Sequence, residues 1–126
     1  MIQFDTIFLV DDDPINNLIN KRLLGKVGIA NNIVEFLEGE EALLKLNDIE
    51  PNISILIFLD INMPVLNGWE FLEKYQEQYE NRSDKIVMLS SSIDYQDRFK
   101  AQGYKVICGF LEKPLTLDKI KTQFEI

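Results

Sequence analysis

Apolar residues in this 126-residue chain fall into short unbroken runs. Between the runs lie longer segments where they recur every three or four positions. The longest run is Ile53 to Leu59, interrupted only by Ser54 and ending on Asp60. An Ile-rich run of that kind predicts a strand buried on both faces, as in a parallel sheet. Pro64 cannot continue a ladder, so the chain must turn just beyond the acid. Similar runs at Ile7–Val10, Ile33–Leu37 and Lys85–Leu89, and within Val106–Leu111, predict four more strands. The second is less apolar and belongs nearer an edge.

Helical spacing fills the gaps. Asp13-Pro14 reads as a cap and first helical position. Ile15, Leu18, Ile19, Leu23 and Val27 follow at helical spacing, and Gly28 is the stop. Further helices are predicted from Glu40 to Asn47, after the turn-forming pair Asn67-Gly68, from Asp94 to Gln102 and from Thr116 to Glu125. The helix after Gly68 carries Phe71, Leu72, Tyr75 and Tyr79 on one face. Strand and helix alternate five times, which predicts an α/β fold: a (βα)5 five-stranded parallel sheet with helices on both faces.

In the flavodoxin-like order 2-1-3-4-5, such a sheet binds ligands beyond the carboxyl ends of its strands. The polar residues that terminate the runs fall at that rim. The first strand delivers Asp11 and Asp12, the third Asp60, the fourth Ser90 and the fifth Lys113.

Composition narrows the chemistry. The formal net charge of −8 argues against nucleic acid and anionic lipid as direct partners. There is no histidine, so catalysis must run on carboxylates, hydroxyls and lysine. Cys108 is the one cysteine, which suits a reducing cytoplasm and predicts a small buried residue. Met1 to Val10 lacks the basic flank of a signal peptide, and no run is long enough to span a membrane. The length suits one domain, 1–126, with no attached output module.

Three carboxylates at one rim repel one another unless a hard cation joins them. Mg²⁺ takes oxygen ligands and is held by one or two carboxylates together with phosphate oxygens. With Lys113 and Ser90 as donors, the rim suits a phosphoryl group, and Asp60 becomes a nucleophile forming an acyl phosphate. Each signal alone has a plainer meaning: a solvated turn for the aspartates, a polar loop for Ser90 to Ser92, a strand end for Lys113-Pro114. Asp13 is assigned to the helix cap.

Together, Asp11-Asp12, Asp60 with Asn62-Met63-Pro64 and Asn67-Gly68, Ser90 and Lys113-Pro114 resemble the receiver (response-regulator) domain of two-component signalling over essentially the whole chain. The resemblance implies that Asp60 accepts a phosphoryl group from a sensor histidine kinase or a histidine phosphotransfer protein. It implies Mg²⁺ ligands in Asp11, Asp12, Asp60 and the backbone carbonyl of Asn62. Ser90 is then the switch hydroxyl, Phe110 the switch aromatic, and Lys113, through a cis bond to Pro114, the phosphoryl's cation. The family more often has Thr and Tyr at the two switch positions. Ser92 and Asn62 occupy the positions that tune dephosphorylation. The readout is a changed surface of fourth helix, fifth strand and fifth helix, read by an unknown downstream protein, with Tyr95 and Phe99 as candidate contacts. A relay intermediate, a degenerate scaffold, and a small Mg²⁺-dependent phosphatase working through an aspartyl phosphate are the competing readings. The phosphatase lacks an acid two residues after Asp60, where Asn62 stands.

Overall fold

The computed structural model describes residues 2–92 and 94–126; Met1 and Ile93 lie outside them. Five strands and five helices alternate: β1 (Phe4–Val10), α1 (Pro14–Val27), β2 (Ala30–Phe36), α2 (Gly39–Leu46), β3 (Ile55–Asp60), α3 (Gly68–Gln78), β4 (Lys85–Ser90), α4 (Tyr95–Ala101), β5 (Ile107–Glu112) and α5 (Leu117–Phe124). All strand pairs are parallel and the sheet order is β2-β1-β3-β4-β5. The expected class and order both hold.

Alternation along the central strands sorts the core into two layers. Phe8, Val10, Ile57, Leu59, Ile86 and Met88 pack with Leu43, Phe71 and Leu72 of α2 and α3. Ile7, Leu9, Leu56, Phe58, Val87 and Leu89 pack with Leu24 of α1 and Ile120 of α5. Every residue of β3 is buried, so the strand that ends on Asp60 is held from both faces. Each fully buried Leu, Ile or Phe contributes about 1.5–3 kcal/mol.

Several boundaries shift for local reasons. β1 starts at Phe4 and β2 at Ala30, earlier than their apolar runs. On the edge strand β2, Asn31 and Asn32 face solvent at no cost. β3 starts later, at Ile55, because Pro51–Ser54 is a turn: the Ile53 N–H donates to the Glu50 carbonyl at 3.0 Å. Asn67-Gly68 is not a free turn. Asn67 caps α3, accepting from the Glu70 N–H at 2.9 Å while Glu70 accepts from the Asn67 N–H at 3.0 Å, and Gly68 is the first helical residue.

One expectation about burial is corrected, and α1 turns inward a face that its apolar spacing does not mark. Cys108 is exposed, because β5 bulges there: Ile107 pairs with Ile86 and Gly109 with Val87, leaving Cys108 unpaired between them. On α1 the caps are as expected, with Asp13 accepting from Ile15 and Gly28 at φ 72. The buried face, however, is Asn17, Asn20 and Leu24. Ile15, Leu18 and Ile19 are turned outward, at 66%, 45% and 55% exposure.

Candidate functional site

The carboxyl ends of β1 and β3 meet where the strand order reverses, the crevice in which sheets of this kind bind ligands. Asp11 leaves β1 and Asp60 ends β3, both buried, while Asp12 is exposed. One carboxylate oxygen from each of Asp11, Asp12 and Asp60 lies within 4.8 Å of the others. Lys113 reaches in from the end of β5 and bridges the two buried acids, Nζ standing 2.9 Å from Asp11 Oδ2 and 3.3 Å from Asp60 Oδ2. Its peptide bond to Pro114 is cis, and its N–H donates to the Ser90 carbonyl at 2.7 Å.

Backbone donors fix the remaining oxygens. The Asp13 N–H donates to Asp11 Oδ1 at 2.9 Å, and the Asn62 N–H to Asp60 Oδ1 at 3.2 Å. Burial, reinforced by the charge of Asp11, raises the Asp60 pKa above its ordinary value against the opposing pull of Lys113. Burial works against the Lys113 ammonium too, but the hydrogen bond and charge of Asp11 and the charge of Asp60 outweigh it, and its pKa rises. The rim therefore carries more negative charge than one lysine balances.

The loop after Asp60 is shaped by contact with α3. A side chain at Gly68 would come within 2.9 Å of the Ile61 Cα and 3.0 Å of the Asp60 carbonyl, and the Gly68 N–H donates to the Ile61 carbonyl at 2.9 Å. Between them the chain reverses in a γ-turn. The Leu66 N–H donates to the Pro64 carbonyl at 2.7 Å, with Val65 in the left-handed region at φ 67.

Ser90 is buried at the rim, one residue beyond the Leu89 that pairs with Asp60. Its hydroxyl donates to the Ser92 carbonyl at 2.5 Å rather than to Asp60. Phe110 is half-buried on β5, paired with Met88. Asn62 is exposed. Sequence reading missed Asn17, whose amide donates to the Asp11 carbonyl at 3.0 Å and the Phe36 carbonyl at 3.1 Å. It also missed Lys119, whose Nζ donates to the carbonyls of Glu112 and Pro114, at 2.7 and 2.8 Å, on either side of Lys113. An amide one turn into the helix that follows an acid pair was the available signal for Asn17.

The donor set is all hard oxygen, with an exposed acid beside two buried ones, and it fits a small divalent cation such as Mg²⁺.

The chain is thus a doubly wound α/β protein with three acids and a lysine gathered at the switch point of its parallel sheet. The response regulator receiver domain family model matches residues 7–125, and the chain belongs to that family of two-component signalling proteins. It is 29% identical over 122 residues to a probable C4-dicarboxylate response regulator, DctR, of Halalkalibacterium halodurans, covering 94% of this chain and 50% of that protein. It is 35% identical over 120 residues to the sensor protein EvgS of Escherichia coli K12, covering 93% of this chain and 9% of that protein. The chain thus spans half or less of these relatives' length. A two-component response regulator from Cytophaga hutchinsonii has the same fold, with a TM-score of 0.86 at 28% identity over 98% of this chain and 96% of that one. Among the described residues no helix is long and apolar enough to cross a membrane.

Proposed function

We propose that this chain is a cytoplasmic phosphoryl-accepting switch, with Asp60 as the acceptor. The observation that carries the reading is the surplus of acid at the rim: Asp11, Asp12 and Asp60 within 4.8 Å, with Lys113 bridging the buried two. A structural cluster would be neutralised internally. This one has ligand positions to spare.

A carboxylate oxygen of Asp60 attacks the phosphorus of a phosphohistidine on a sensor kinase or phosphotransfer protein. The P–N bond breaks, the imidazole leaves, and Asp60 carries an acyl phosphate. Asp11, Asp12, Asp60 and the Asn62 carbonyl would hold Mg²⁺, which would supply charge neutralisation on the transferring oxygens. Lys113 exchanges its bond to Asp60 for one to the phosphoryl group. Ser90 gives up the Ser92 carbonyl and donates to a phosphoryl oxygen. The added charge, about −1.5 to −2 at neutral pH, drives that exchange. Phe110 follows into the space vacated, and the surface of α4, β5 and α5 changes for a downstream protein. Tyr95 and Phe99 of α4 stand 84% and 70% exposed on that surface. Receiver domains are signalling regulators rather than enzymes, and Asn62, where a general acid would be needed, fits that role.

Intact mass after incubation with Mg²⁺ and acetyl phosphate tests the reading. A single phosphoryl adduct is expected in the wild type and none in Asp60→Asn. Multiple turnover on phosphate esters would instead mark a phosphatase. No adduct from either acetyl phosphate or a histidine kinase would overturn the switch.

A further inference from the structure

Asn17 is buried to 1% exposure, on the one face of α1 where the helical pattern calls for an aliphatic residue. Its Nδ2 makes two bonds, to the carbonyls that end β1 (Asp11) and β2 (Phe36). Both of an amide's N–H donors are thereby used. The Phe36 carbonyl also accepts from the Asp11 N–H at 3.1 Å, so Asn17 closes a clamp that holds Asp11 by its N–H and its carbonyl together. The Asn17 N–H itself donates to the Asp13 carbonyl at 3.2 Å. Asp11, Asp12 and Asp13 are therefore a three-residue hoop whose two ends are tied to one side chain and its backbone.

Packing alone does not call for this residue. Leu24, two turns further along the same face, serves the core as a hydrocarbon. Asp12 lacks comparable support: it is exposed, and among the described residues no hydrogen bond fixes its carboxylate. Its position depends on the backbone of the hoop.

We infer that Asn17 is a positioning residue for the Asp11–Asp12 half of the metal site: its side-chain amide, by fixing the two strand-end carbonyls, sets where Asp12 stands relative to Asp60. The inference rests on the proposed function in one respect, that Asp11, Asp12 and Asp60 bind Mg²⁺. Groups one layer behind metal ligands typically govern metal affinity by roughly 10- to 100-fold.

The test is Mg²⁺ binding to the full chain, by calorimetry and by the Mg²⁺-induced rise in unfolding temperature, which follows Kd through mass action. Asn17→Ala is expected to weaken Mg²⁺ roughly tenfold or more and to lose most of the Mg²⁺-induced rise. Asn17→Gln, which keeps the amide on a longer stem, is expected to fall between and serves if the alanine variant does not fold. Leu24→Ala is the control: it lowers the unfolding temperature without Mg²⁺ but leaves Kd unchanged. If the Asn17 variants lose stability yet bind Mg²⁺ as the wild type does, the residue is structural and the inference fails. If the wild type itself does not bind Mg²⁺, the metal site fails and the inference with it. The two failures are thus told apart by the wild-type titration.

Discussion

At the amino ends of β3 and β4, Asp84 is buried with its carboxylate fully occupied. It accepts from the Ile55 N–H at 3.1 Å, the Tyr75 hydroxyl at 2.8 Å, Arg82 Nε at 2.7 Å and an Arg82 Nη at 3.2 Å. Arg82 also donates to the carbonyls of Ile49 and Ile53, at 2.7 and 3.2 Å. At the opposite edge of the sheet, where β1 and β3 end, two buried acids share a single lysine and an exposed third acid stands beside them. Both clusters hold buried carboxylates in the same sheet. One has a donor for each lone pair and closes a loop; the other is short of positive charge and open on one side. A buried acid that is saturated serves the fold, whereas one short of positive charge is a candidate site for a group from outside.

The comparison breaks most severely at the saturated end. Arg82→Met leaves Asp84 buried without its cation and two carbonyls without donors. Removing one partner of a buried pair costs about 3–5 kcal/mol, so the urea midpoint should fall sharply, with or without Mg²⁺. The Tyr75 phenol, whose pKa is pushed up by burial and by Asp84, offers no charge in exchange. An unchanged midpoint would mean that the network is not what holds Pro51–Ser54 to the sheet.

Gly68→Ala strikes the open end, where the first residue of α3 packs on the chain leaving Asp60. The new methyl meets backbone at 2.9 and 3.0 Å rather than a flexible side chain, so the Asp60–Ile61 segment must move. Overpacking of this kind costs about 1–3 kcal/mol. The rate of adduct formation from acetyl phosphate should fall along with stability, whereas at Arg82 only stability changes. Intact-mass time courses separate the two.

The undersupplied end responds with the opposite sign. The raised Asp60 pKa means that the folded chain holds this proton more tightly than the unfolded chain does. That contribution is complete below the unfolded pKa and is lost as pH rises through the folded value. At neutral pH the ionised Asp60 therefore works against the fold. Asp60→Asn should raise metal-free stability by on the order of 1 kcal/mol, since Lys113 already cancels part of the repulsion. The gain should shrink towards zero in acid, where the wild-type carboxyl is protonated. Urea titrations across the acid range without Mg²⁺ measure it; a destabilised variant at neutral pH would show that Asp60 is satisfied after all.

These contrasts also mark what could be read from residue order. The apolar run into Asp60 and the capped α1, from Asp13 to Gly28, are one-dimensional signals: both elements form there, with β3 starting two residues into its run. The rim acids could be gathered because strand ends in a parallel sheet share one edge. What stayed hidden depends on contacts between distant segments. Ile15, Leu18 and Ile19 look like a core face until Asn17 is seen to be needed by carbonyls of β1 and β2. The Asp84 network joins residues that no spacing rule connects, and the exposure of Cys108 follows from a one-residue bulge in register.

The smallest effect should come from Val65, which touches neither acid cluster directly but sits in the loop that joins Asp60 to α3. It is a β-branched residue at φ 67 and is 97% exposed, so no packing within the chain offsets the strain. A left-handed conformation costs an ordinary residue about 1–2 kcal/mol, and Asn tolerates it best among residues with a side chain. Val65→Asn should therefore stabilise the metal-free protein by about 0.5–1 kcal/mol. Unlike Val65→Gly, it adds little freedom to the unfolded chain. Because the γ-turn bond between Leu66 and Pro64 is retained, adduct formation on Asp60 should keep its rate. A gain in stability with a slower reaction would show that the strain itself shapes the acceptor loop, and that the open rim depends on more than its shortage of positive charge.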